Sequence, residues 1–170
     1  MAKKLAISLK PGPAMQVTRV LIGKKRLVYV ILADIALKYR WGRSKIAYIG
    51  TTKKGVARIA QSVAARADDI LSIYGVREFI VRIVTCQRRQ GVNTWPKLER
   101  ALLLAFRQKY GSLPKCNKQG KHIKEQDLFE YFNPVRLFKV LVSLDSSSKP
   151  SVKRLSQRRK VRNKTVKQNH

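Results

Sequence analysis

Acidic side chains are scarce in this chain. Its 170 residues include 9 Asp and Glu against 38 Lys and Arg, a formal net charge of +29. A compact domain so charged repels itself, which points to a polyanionic partner and argues against free cationic ligands. Cysteine and histidine are scarcer still, with only Cys86, Cys116, His122 and His170. Two cysteines exclude a disulfide framework, and so few sulfur and imidazole ligands exclude a Cys/His zinc cluster. Low cysteine fits a reducing, intracellular setting. No apolar run approaches the roughly 18 residues of a transmembrane helix. The apolar stretch after Met1-Ala2-Lys3-Lys4 is too short for a secretory segment. The acid-free N-terminus has the composition of a transit peptide, but Pro11-Gly12-Pro13 would break its helix. The chain therefore reads as a soluble intracellular protein of cytoplasm or nucleoid, with organelle targeting left open.

What is present is enough for a core: 44% of the residues are hydrophobic. The charge divides the chain in three. Residues 1–26 hold seven bases and no acid, residues 27–145 hold 22 bases and all nine acids, and residues 146–170 hold nine bases and no acid. The middle segment is the expected folded domain, between a basic N-terminal extension and a basic tail expected to be disordered in isolation. Within the domain, residues 27–33 (LVYVILA) and 46–50 (IAYIG) read as strands, joined by a basic hairpin-like connection over 34–45 that resembles an insertion. A helix is expected over 55–67 with a further turn over 68–73, and a third strand over 78–85. Thr94-Trp95-Pro96 signals a helix start, and that helix should run to Tyr110 with Gly111 beyond its end. Residues 138–144 read as an extra edge strand. The expected fold is α+β, a small, mainly antiparallel three-stranded sheet flanked by helices.

Leu27-Val28-Tyr29, and the literal triplet Tyr48-Ile49-Gly50 on the next strand, resemble the paired strands of the GIY-YIG nuclease superfamily. The family next shows an arginine in the following helix, and Arg58 stands there; a glutamate on a later helix, and Glu99 stands there; then an asparagine, and Asn117 follows that helix. The resemblance covers residues 27–117. It departs at Leu27-Val28, where the family has Gly-Ile, and at Ser62, where many members carry His or Tyr. The resemblance implies DNA cleavage leaving a 5′-phosphate and a 3′-hydroxyl, in restriction, mobile-element homing or repair.

The residues can be weighed by their own chemistry. Phosphodiester hydrolysis needs an activated water, charge neutralisation at the phosphorus and help for the leaving oxygen. One carboxylate, Glu99, can hold one Mg²⁺ or Mn²⁺ that keeps several waters. With nine acids in the whole chain, a carboxylate-rich two-metal cage is hard to build. Arg58 can fork onto phosphate oxygens. Tyr48, with Tyr29 across the strands, can relay a proton from water. Asn117 can position Glu99 or a metal-bound water. The positions three and four from Glu99 are Trp95, Pro96, Leu102 and Leu103, all uncharged, and Arg58 faces Lys54, Gly55, Gln61 and Ser62.

Nucleic-acid contacts are expected from Lys38, Arg40, Trp41, Arg43 and Lys45, from Lys53 and Lys54, and from Arg158, Arg159 and Lys160 in the tail. Trp41 either stacks on a base, wedges a groove or covers the core. Arg88-Arg89 read as phosphate contacts or a solvated face, His122 as solvated, and Leu98, Leu102, Ala105 and Phe106 as core. No reading helix or zinc finger is present, so binding should be electrostatic and salt-sensitive. The expected activity is a one-metal DNA endonuclease, with RNA as an alternative substrate and a homodimer as one route to double-strand cuts. The rival is a non-catalytic basic nucleic-acid-binding protein, ribosomal, nucleoid-associated or an inactive relative. A membrane-surface role lacks a long basic amphipathic helix.

Overall fold

A computed structural model describes residues 26–87, 89–117 and 131–146. The element order is β1 (Leu27–Tyr39), β2 (Gly42–Thr52), α1 (Val56–Leu71), β3 (Phe79–Val84), α2 (Thr94–Tyr110) and α3 (Pro134–Ser146). The strands form one antiparallel sheet in the order β2-β1-β3. Central β1 is buried from Leu27 to Ala33, which is why that run has no polar alternation. The α+β class and the three-stranded sheet agree with expectation. The basic segments before residue 26 and after residue 146 lie outside the described residues.

The 34–45 connection is not a loop. β1 continues to Tyr39, β2 starts at Gly42, and only Arg40 and Trp41 turn the chain. The period-two pattern of buried Leu37, exposed Lys38 and buried Tyr39 marks this stretch as strand. Its irregularity is a bulge: four residues, 33–36, stand against Lys45 alone between the pairs Leu32–Ile46 and Leu37–Ser44. The expected insertion is therefore an elongated hairpin arm. It is anchored by the Tyr39 hydroxyl, which donates to the Ile46 carbonyl at 2.5 Å, and by the Tyr39 ring edge-on to Phe106 at 5.0 Å.

Residues 138–144 are also not a strand. They belong to α3, whose Leu137, Leu141 and Leu144 are buried at helical spacing. Asn133 caps this helix, its side-chain oxygen accepting from the Val135 N–H at 2.9 Å, and Pro134 is the first helical residue. α1 runs unbroken over Val56–Leu71, so the expected helix and the separate turn after it are one element. α2 runs over the expected range and ends at Gly111, which is left-handed at φ 76° and donates its N–H to the Arg107 carbonyl. The α2 residues Leu98, Ala101, Leu102, Ala105 and Phe106 are buried against the sheet and α3.

Candidate active site

Tyr48 and Gly50, two apart on β2, share one face of the sheet, and Tyr29 on β1 is registered opposite Gly50. A side chain at Gly50 would have to displace the Tyr48 ring. A Cβ there would stand 2.5 Å from the Tyr48 ring and 2.7 Å from its hydroxyl. The Tyr48 phenol thus folds back over Gly50 and meets Tyr29, with ring centroids 5.8 Å apart. The triplet of tyrosine, isoleucine and glycine is a packing unit: the glycine is the space into which the tyrosine lies.

The Tyr48 phenol is pushed well above its ordinary value. Burial is the main cause, followed by the nearness of Tyr29; the negative charge of Glu99 adds to it, and Arg66 opposes it. Tyr29, Arg66 and Glu99 thus each act on Tyr48. Arg66, on the last turns of α1, places its guanidinium 4.3 Å from the Tyr48 ring centroid and also donates to the Ser62 carbonyl at 3.3 Å. Glu99 stands half-buried on the second turn of α2. At neutral pH Tyr48 is a protonated phenol, able to donate a hydrogen bond or relay a proton rather than act as a standing phenolate.

Arg58 is placed differently from Arg66. It is exposed on the first turns of α1, and its guanidinium donates to the Gln61 side-chain oxygen at 3.0 Å. Sequence reasoning did not single out Arg66. The signal was available, because Arg58, Ser62 and Arg66 recur every fourth residue and so lie along one helix face. Asn117 engages β2. Its amide oxygen accepts from the Ile49 N–H at 3.0 Å, and its amide nitrogen donates to the Ile49 carbonyl at 2.8 Å. The Cys116 N–H donates to the Ala47 carbonyl at 3.0 Å. The loop after α2 thus clasps the open edge of β2 on both sides of Tyr48, and Asn117 reaches the site through that backbone.

The other expected contacts are dispersed. Lys53 and Lys54 are exposed in the short turn between β2 and α1. Lys38, Arg40, Trp41 and Arg43 are exposed on the hairpin arm, and Arg43 also bonds the Ala36 carbonyl through Nε and Nη2 at 3.2 and 2.9 Å. Lys45 is half-buried, with its backbone N–H given to Asp145 at 2.9 Å. Arg89 stands over the Tyr131 ring. Arg88, His122, Arg158, Arg159 and Lys160 lie outside the described residues. Among the described residues, no three His, Cys, Asp or Glu gather into a metal-binding group, and no helix is long and apolar enough to cross a membrane. The chain matches no family model, no curated protein and no solved structure.

Proposed function

We propose that the protein is a metal-dependent endonuclease that hydrolyses DNA phosphodiester bonds by a one-metal route. The observation that supports this reading is the packing of Tyr29 and Arg66 against Tyr48, within electrostatic reach of Glu99, with Lys53, Lys54 and Arg58 leading into the same helix as Arg66. In this reading Glu99 is the carboxylate donor, since Mg²⁺ is commonly held by one or two carboxylates and retained waters. Glu99 would hold the ion, which when bound supplies charge neutralisation at the phosphate and a water of lowered pKa. The protein's own groups do the rest. Arg66 and Arg58 on α1 bring positive charge to the phosphate oxygens, Tyr48 relays a proton, and Tyr29 fixes the Tyr48 ring by packing.

A second reading, a non-catalytic nucleic-acid-binding protein, draws on the protonated, buried state of Tyr48 and on Arg58 being turned to Gln61. One assay separates the two. Full-length protein is incubated with supercoiled plasmid and Mg²⁺ or Mn²⁺, beside the Glu99→Gln variant and a chelator control. Metal-dependent nicking lost in Glu99→Gln is expected. Nicking that survives in Glu99→Gln removes the metal role from Glu99. Tight plasmid binding without nicking establishes the binding protein.

A further inference from the structure

The elongated hairpin ends in an aromatic side chain that the fold holds still yet leaves open. Trp41 is 63% exposed, whereas the other tryptophan, Trp95, is 7% exposed. Exposure alone would make Trp41 a loose loop residue, but two contacts of its own and one of its neighbour fix it. Its backbone N–H donates to the Tyr110 carbonyl at 3.1 Å, at the end of α2. The neighbouring Gly42 lies against the Tyr110 ring. The indole itself rests on Gly111, where a Cβ would come within 2.6 Å of the ring. One surface of the indole is thus seated on backbone, and most of the remainder faces solvent, with the Arg40 guanidinium loosely over the ring at 5.9 Å. Covering the helix end would not leave most of a tryptophan exposed.

The surroundings select the ligand. Lys38 and Arg43 are direct cross-strand partners on the arm, a like-charge pair that costs stability unless an anion neutralises it. The Arg40 guanidinium lies 5.9 Å from the Trp41 ring centroid. Arg107 and Lys109 close the last turn of α2 beside it. The arm itself, residues 35–45, holds four bases and no acid, and the carboxylate at its base, Asp145, is taken up by Ser44, the Lys45 N–H and Tyr110. A flat apolar ring amid phosphate-binding cations suits a nucleobase with a free face. Bases in an intact duplex have none, because each is covered by its neighbours.

We infer that Trp41 is a stacking platform for an unstacked base, so that the preferred partner is DNA with a single-stranded portion. From Glu99 to Gly111 the α2 axis covers about 18 Å at about 1.5 Å per residue. That is the span of roughly five stacked nucleotides at about 3.4 Å each. This placement relative to the cut rests on the endonuclease reading, but the test of stacking does not.

The test uses full-length protein in chelator, so that no cleavage occurs, with a single-stranded oligothymidine, a blunt duplex of equal length and a duplex bearing a single-stranded flap. Trp41 should dominate the solvent-sensitive tryptophan emission, because Trp95 is buried. Oligothymidine and the flap substrate are expected to quench that emission more than the blunt duplex does. Trp41→Ala should remove the quench and weaken oligothymidine binding roughly tenfold more than it weakens duplex binding, the scale of one base–aromatic stack. Trp41→Phe should retain most of the affinity. Equal losses on duplex and single strand would overturn the inference in favour of a groove wedge. Absence of quenching in the unaltered protein would overturn it without recourse to any variant. Nicking without quenching defeats the platform alone, and quenching without nicking defeats the nuclease alone.

Discussion

Tyr48 and Gly50 illustrate how one residue's absence of a side chain sets another's chemistry. The Tyr48 phenol is buried and carries a raised pKa because it lies in the space a Cβ at Gly50 would fill. Gly50→Ala forces the ring off Tyr29, and overpacking of this kind costs about 1–3 kcal/mol. If the site is catalytic, a ring displaced by about 1 Å lowers nicking on the order of 10²-fold. Chemical denaturation and the plasmid assay measure the two effects together. A Gly50→Ala protein with unchanged stability and nicking would show that the ring is not held there. The triplet was visible in the sequence, but the reason for its glycine was not, since a strand glycine has several uses.

Asp145 operates at the scale of whole elements. Its carboxylate accepts from the Ser44 hydroxyl at 2.7 Å, from the Lys45 N–H at 2.9 Å and from the Tyr110 hydroxyl. It thereby ties α3 to β2 and to the end of α2. Hydrogen bonds to a charged acceptor contribute about 1.5–3 kcal/mol each, and three are shared here with partial exposure. Asp145→Ala should therefore lower stability by roughly 3 kcal/mol, read as a shift in the urea midpoint at constant slope. A loss under about 0.5 kcal/mol would place the tie among ordinary surface contacts. Nothing local marks Asp145 as structural. It lies about 100 residues from Ser44 in sequence, and it ends a Val- and Leu-rich stretch that reads equally as strand or helix. The Asn133-Pro134 start signal decides for helix once weighed against that pattern. In α2 the Gly111 end signal and the apolar spacing agreed, whereas at its start Thr94 is the first helical residue and Asn93 takes the cap position without a side-chain hydrogen bond.

Across the molecule, three phenols are pushed above their ordinary value, Tyr39, Tyr48 and Tyr110, each chiefly by burial. All three sit in the continuous core beneath the sheet and helices. Linkage gives the sign. Above pH ~10 the unfolded chain releases these protons while the folded chain keeps them, so folding takes up protons there. Their contribution to stability is complete below pH ~10 and is lost as pH rises beyond it. Lysine deprotonation accompanies this and relieves self-repulsion, so the informative comparison is between the unaltered protein and Tyr48→Phe. The variant should lose stability less steeply with alkaline pH, as measured by urea midpoints between about pH 8 and 11. Parallel profiles would mean that Tyr48 titrates as readily folded as unfolded.

Charge and apolar patterning determined much of this protein by themselves. The excess of 38 bases over 9 acids sets a strongly positive net charge whatever the fold. The strands over 27–33 and 46–50 and the whole of α2 follow from runs whose burial leaves one conformation. Tertiary structure alone decided the rest. It chose Arg66 over Arg58 as the cation above Tyr48, because helix spacing specifies a shared face but not which member reaches the sheet. It sent the Asn117 amide to the backbone of Ile49, and it seated Trp41 on Gly111 with most of its ring exposed. Each outcome depends on contacts between residues far apart in the chain. Such contacts are set by how the elements pack, which no local pattern encodes.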